Sequence, residues 1–198
     1  METEKRMAGD YEITDAFHIG DKEVVLGENP ANPDERYMVA YCEKNEILAS
    51  YGIVLTSDSY AEIAKVFGEC ISKQAGLVQK QISNLNIPIT VIHKEDCIPD
   101  SYDKSIVGKV IAIKPSILYS EFQRADRQIY LVKGGFGAEA NSRGSAVFCK
   151  NIYDGKETRF ERSDVMGEVN PDRLPEWAKE RLNAIPTEKK PHHKDRER

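Results

Sequence analysis

A chain of 198 residues can hold one sizeable core or two small ones, and its net charge of −5 is too modest for a pure DNA mimic. No apolar run has the length of a membrane span or the layout of a secretory leader. The four cysteines, Cys42, Cys70, Cys97 and Cys149, stand apart in apolar contexts without CxxC spacing. That argues against disulfides and zinc and for reduced, buried thiols in a soluble, cytoplasmic protein.

Charge is spread unevenly. Residues 1–50 carry twelve acidic and five basic side chains, a net of −7, whereas the last thirteen residues carry five basic and three acidic. Such a front can present an anion-mimicking face to a basic partner, through Asp21, Glu23, Glu28, Asp34 and Glu35 of the first two hairpins. These acids are dispersed rather than blocked together, so ordinary solvation accounts for them as well.

Residues 1–9 are polar and expected to fray. From Tyr11 to Ile19 apolar and polar residues alternate with period two, as in a half-buried strand. Gly20-Asp21 turns the chain and Glu23–Leu26 returns as the second arm of a hairpin. After a loop with two prolines, Arg36–Cys42 and Ile47–Leu55 read as further strands of a small antiparallel meander. Ser59-Tyr60-Ala61-Glu62 is a capping box, with the Ser59 hydroxyl on the Glu62 amide and the Glu62 carboxylate back on the Ser59 amide. Ile63, Phe67, Cys70, Ile71, Ala75, Val78, Ile82 and Leu85 then recur at helical spacing. This predicts one long amphipathic helix ending near Leu85, its apolar stripe laid on the meander. Gly68 and Gly76 weaken the helix by roughly 1 kcal/mol each relative to Ala, and would permit close approach to the sheet.

Ile87–Ile92 predicts a short strand, placed at an edge by Pro88. Asp96–Lys104 reads as loop, Val107–Lys114 as a strand with a bulge at Gly108, and Pro115–Phe122 as a helical turn. The stretch Gln128–Glu168 organises the rest. It gives a strand at Ile129–Val132, a glycine loop at Gly134-Gly135-Phe136-Gly137, and a hairpin whose arms, Ala146–Cys149 and Thr158–Glu161, fold at Asp154-Gly155 as a two-residue type I′ turn. Pro175 opens a closing helix carried by Trp177, Ala178, Leu182 and Ile185. The charged residues from Pro186 onward are expected to be disordered. The expected class is α+β, with small antiparallel sheets packed around one long helix, a C-terminal hairpin unit and a short closing helix. It forms one compact domain over residues 10–185, or subdivides into 10–85 and 86–185.

Two stretches could carry binding chemistry. The glycine loop is neither a dinucleotide fingerprint nor a phosphate loop, because no helix follows it and no Lys-Ser/Thr ends it. Lys133 and Arg143 flank it and could hold an anion, but a tight inter-strand loop explains the glycines equally well. In the hairpin, a two-residue turn sets Lys150 opposite Arg159, like charges that destabilise a ladder unless neutralised. Glu157 and Glu161 could do so from the same face. A bound phosphate backbone or acidic partner, helped by Arg124, Arg127 and Arg162, is the alternative. For catalysis the pattern offers little: His18 and His93 are isolated, no Cys/His or carboxylate pair stands out, and no cofactor or metal motif occurs.

Taken together, FHIGDKEVVLGENP, RYMVAYCEKNEILASY, the Ser59–Glu62 helix start, GKVIAIKPSIL and QIYLVKGGFGAEANSRGSAVFCKNIYDGKETRFERSDVMGEV resemble a known group. It comprises small proteins and domains of plasmids, conjugative elements and phages of gut Firmicutes, grouped with large polyvalent protein-associated domains. The resemblance runs in order from Tyr11 to Leu182, and the chain is also similar to type II-A anti-CRISPR proteins of such bacteria. It carries no catalytic motif. It implies a non-enzymatic inhibitor that binds an RNA-guided effector nuclease of the Cas-nine class. The alternative is a nucleic-acid-binding accessory protein of plasmid or conjugative-element maintenance, meeting DNA or RNA directly.

Overall fold

The computed structural model describes residues 5–44 and 48–184. The fold is α+β with two antiparallel sheets, and the chain divides into two compact units, residues 1–86 and 87–198.

The N-terminal unit is a meander of β1 (Met7–Ala8), β2 (Tyr11–Ile19), β3 (Lys22–Glu28), β4 (Tyr37–Lys44) and β5 (Ala49–Ser57), followed by the helix α1 (Tyr60–Ser83). The five strands lie side by side in chain order. Successive side chains of a strand point to opposite faces, and β3 is apolar on both. Val24 and Leu26 join Val39, Ile63 and Cys70 on the α1 side, while Val25 packs with Ala8, Tyr11, Met38 and Cys42 on the other. Among the described residues of this unit no helix covers that second face. Arg6, just before β1, reaches over it and donates to the Tyr51 hydroxyl on β5 at 2.8 Å, so side chains from the two edges of the sheet meet over this face.

The start of α1 differs from a simple capping box. Ser59 Oγ accepts the Glu62 amide at 3.3 Å, but the Glu62 carboxylate returns through Ser57. The Ser57 hydroxyl donates to it at 2.6 Å and accepts the Ser59 amide at 3.1 Å. The buried stripe also contains a polar residue, Gln74, whose Nε2 donates to the Ile19 carbonyl at 3.2 Å and so satisfies the β2–β3 turn. Gly68 and Gly76 face open space, with nothing near where a Cβ would stand. They do not serve close approach to the sheet.

The C-terminal unit contains β6 (Cys97–Pro99), β7 (Val110–Ile113), the single turn α2 (Ala125–Gln128), β8 (Ile129–Gly134), β9 (Ala146–Asn151), β10 (Glu157–Glu161), β11 (Val165–Val169) and the closing helix α3 (Glu176–Ala184). Its sheet order is β10-β9-β8-β7-β11-β6, so β11 crosses over to lie between β7 and β6. Alternate residues again divide between two clusters. Ala112, Ile129, Ile152 and Val169 pack with Trp177 and Ala178 of α3; Ile111, Ile113, Val132, Val147 and Cys149 form the other. Ile185, expected on the closing helix, and the tail from Pro186 lie outside the described residues.

Several expectations for this half are corrected. Ile87–Ile92 is not a strand. The Gln128 carboxamide stands in for a neighbouring chain, accepting the Ile92 amide at 2.9 Å and donating to the Ile92 carbonyl at 3.0 Å. The loop expected at 96–104 holds the short β6, the strand expected from Val107 begins only at Val110, and 115–122 forms two 3-10 turns. The hairpin register also moves by two residues. Glu157 opposes Lys150 and Arg159 opposes Phe148, because the connection is a four-residue turn and not the two-residue type I′. The Asn151 side chain accepts the amides of Tyr153 and Asp154 at 2.7 and 3.0 Å, and Gly155 closes the turn at φ +74°, a conformation that only glycine adopts without cost. The like-charge opposition of Lys150 and Arg159 does not arise; Lys150 has a carboxylate across from it.

Candidate functional site

The site builds from the glycine loop. β8 ends at Gly134, and the chain re-enters the sheet at Ala146 after running back on itself. At Gly135, φ is +107°, and a Cβ there would run into the Ala146 carbonyl; one at Gly137 would run into the Ser145 carbonyl. Backbone therefore packs on backbone, which only glycine allows. Between these two positions Phe136 points outward and is 80% exposed. Its Cβ sits against Gly144, and the Phe148 ring lies over Gly135 on the other side. Phe148 is itself 51% exposed. Burying a phenylalanine is worth about 1.5–3 kcal/mol, so a rigid loop that displays one beside a second exposed ring forgoes that gain at a fixed place.

Cations occupy neighbouring positions of the loop and the ladder. Arg159 is directly across the ladder from Phe148, and Gly134 is across from Phe148 on the other side; neighbouring strands are about 4.8 Å apart, so all three fall within about 10 Å. Lys133, at the β8 bulge, and Arg143, adjoining Gly144, are exposed. Lys150 lies between Leu131 and Glu157. Arg159 is ion-paired with Glu161, whose carboxyl is held below its usual range by its hydrogen bond with Ser145, with Arg159 adding to the effect. Three of the residues selected from the sequence, Lys133, Arg143 and Arg159, thus lie at or near the glycine-loop end of the sheet, whereas Lys150 lies towards the hairpin turn. Two residues not selected from the sequence as binding candidates, Phe136 in the loop and Phe148 opposite Arg159, lie beside them.

Arg162 is a correction. Its side chain is 1% exposed, and cannot meet a phosphate backbone. The guanidinium grips both Asp100 oxygens at 2.7 Å, and donates to the carbonyls of Gly137, Ser101 and Lys104. By holding Gly137 it fixes the loop that displays Phe136. Arg124 is likewise turned inward, in a fork to Asp126.

The five acids of the N-terminal unit do not form one face. Glu23 is mostly buried and receives Lys44 at 2.7 Å together with Arg6. Burial works against its ionisation, but hydrogen bonds from Lys44 and Arg6 prevail and hold its pKa below the usual carboxylate range. Glu28 is paired with Arg36 at 2.6 Å. Glu35 accepts the Thr56 hydroxyl at 2.9 Å, and Asp34 lies beside it, exposed, in the 3-10 turn before β4. Asp21 is at the opposite end of β3, about 23 Å from Glu28 at strand rise.

Among the described residues neither thiols nor histidines gather into a reactive centre. Burial pushes the Cys149 thiol up to about 12, and burial with the charges of Asp96 and Glu95 pushes Cys97 up to about 11, so the thiolate is scarce at neutral pH. His18 Nε2 donates to the Gly20 carbonyl at 2.7 Å, and the His93 amide donates to Asp96 at 2.9 Å. Among the described residues no three His, Cys, Asp or Glu cluster as metal ligands do, and no helix is long and apolar enough to cross a membrane.

No family model, no curated protein and no solved structure matches this chain.

Proposed function

We propose that this protein acts by binding rather than by catalysis, as a counter-defence inhibitor from a mobile genetic element. Its target in this reading is a type II RNA-guided effector nuclease of the Cas-nine class. The observation that carries the reading is the rigidly displayed Phe136, with Phe148 beside it and Lys133, Arg143 and Arg159 at neighbouring positions. Exposed aromatics ringed by charge are the usual anchors of binding surfaces. The two units also differ in sign. Residues 1–86 carry fifteen acidic and eight basic side chains, net −7; residues 87–198 carry eighteen and twenty, net +2. A nuclease of this class presents basic channels to its guide and target, which suits the acidic unit, and holds nucleic acid there, which suits the cationic one. The sequence resemblance supplies the target class. Pull-down with a guide-loaded effector, followed by a cleavage assay, tests it: co-elution and slowed cleavage are expected, and failure of both across type II effectors removes the reading.

A second reading has its own observation in its favour. Two exposed phenylalanines among cations also match the stacking platforms of single-strand binders, as in a nucleic-acid accessory protein of plasmid maintenance. Retardation of free DNA or RNA at moderate salt, without effector binding, would select it.

A further inference from the structure

The N-terminal unit ends its sheet on a strand that is built unlike a protected edge. β5 runs Ala49-Ser50-Tyr51-Gly52-Ile53-Val54-Leu55-Thr56-Ser57, nine residues without a charge or a proline. It pairs with β4 on one side and is the last strand of the sheet. Edges are ordinarily blunted by lysine, proline or a bulge. Here only a bulge is present, between the pairs Val39–Leu55 and Ala40–Ile53, and it turns two adjacent apolar side chains outward: Ile53 is 59% exposed and Val54 44%. A groove of about 400 Å³ opens alongside, its lining including Lys22, Tyr41, Glu43, Tyr51, Ile53 and Val54.

Charge at the two ends of this strand says what would fit it. Glu43 opposes Ser50 at one end, where Lys22 pairs with it at 2.6 Å. At the other end Glu35 holds Thr56, Glu62 holds Ser57, and exposed Asp58 follows directly. The nearby cations Lys44 and Arg36 are each tied to a carboxylate of their own, Glu23 and Glu28. The edge is therefore apolar in the middle, charge-balanced at the Ala49 end and acidic at the Ser57 end. A second copy would bring two units of net −7 together.

We infer that β5 is a strand-addition site for an extended peptide segment of a partner protein, apolar at alternate positions and basic where it meets Asp58. Backbone hydrogen bonds along the regular stretch Ala49–Ile53 supply affinity and the side chains supply selection, as in other edge-strand recognition. The inference stands on a different unit from the aromatic face, and does not depend on which protein offers the segment.

The test titrates the full chain with a fluorescein-labelled peptide, Lys-Lys-Val-Thr-Val-Thr-Val-Lys-Lys, followed by anisotropy and by amide exchange. Saturable binding is expected, with slowed exchange at Ala49–Ile53. A peptide with Glu replacing Lys, one N-methylated at alternate residues, and the Ile53→Lys protein should each bind at least tenfold more weakly. Ile53 is an exposed side chain, so the variant should keep its fold, checked by an unchanged thermal midpoint. The N-methylated peptide reads backbone pairing without altering the protein at all. No saturable binding, equal binding of the N-methylated peptide, or binding without protection of those amides would overturn the inference. So would a wild-type dimer that Ile53→Lys dissociates, since the occupant would then be a second copy.

Discussion

The two units solve the same problem, an antiparallel sheet with apolar residues on both faces, by different means. In the N-terminal unit every strand pairs with its neighbour in sequence, and one face is covered by a single helix whose apolar spacing is plain. In the C-terminal unit β11 inserts between β7 and β6, and long irregular stretches are fastened by buried polar side chains: Arg162 to four partners, Gln128 to Ile92, and Asn151 to the Asp126 carbonyl and its own turn. Local pattern builds the first unit. Long-range hydrogen bonding completes the second.

The sharpest way to break that contrast is Arg162→Ala. Removing one partner of a buried pair leaves Asp100 and three carbonyls without their donor, which costs about 3–5 kcal/mol. The chain carries one tryptophan, Trp177, in the C-terminal unit, whereas most helical residues lie in α1. Urea unfolding followed by Trp177 fluorescence should shift strongly to lower denaturant, and the far-UV helical signal should shift much less. Equal shifts in both probes would show that the units unfold as one.

This difference also explains what could be read beforehand. The meander, the long helix and its Ser59 cap follow from alternation, spacing and a hydroxyl at the right place, all properties of neighbouring residues. Gln128 looked like the polar start of a strand; its role depends on Ile92, thirty-six positions earlier. Arg162 looked like a surface cation because charge is normally exposed, and only Asp100, brought up by the β11 crossover, makes its burial affordable. Phe148 lies in the run Ala146-Val147-Phe148-Cys149, which is apolar without alternation, so no period could say which side faced out. The clue that was present is Gly-Gly-Phe-Gly: small residues on both sides of one large one mark a loop packed tightly enough to hold that side chain outward.

A smaller effect is expected from the Glu23 carboxylate network of the N-terminal unit. Glu23 has its folded pKa depressed by Lys44 and Arg6 against the opposing pull of burial. The stability it contributes is thus complete above the ordinary carboxylate range, and is lost as pH falls through the depressed folded value. Glu23→Gln should cost about 1–2 kcal/mol at neutral pH. It should also flatten the acid limb of the thermal midpoint against pH; an acid limb as steep as the parent's would place that titration elsewhere.

Smaller again, and opposite in sign, are Gly68→Ala and Gly76→Ala. Both positions are exposed helix interior with open space around the would-be Cβ, so each should raise stability by about 1 kcal/mol. The gain should appear in the helical signal and not in Trp177 fluorescence, a direct check that the two probes separate the units. A loss of stability at either site would mean that the face is covered.

The smallest effect on stability belongs to the residue with the largest expected effect on binding. Phe136→Ser removes a side chain that is 80% exposed, and leaves Gly135, Gly137 and the Arg162 clamp untouched. Surface changes of this kind stay within about 0.5 kcal/mol. If the aromatic face is the binding anchor, the same change should weaken capture of the target by tenfold or more, as truncation of a central aromatic does. Arg159→Ala, one strand away, should act in the same direction more mildly and lessen the salt sensitivity of binding. Arg162→Ala would weaken binding too, but only together with a lost Trp177 transition, because its route to the surface is through the Gly137 loop. A Phe136→Ser protein that binds as the parent does would leave the exposed ring without a role, and would move attention to the β5 edge.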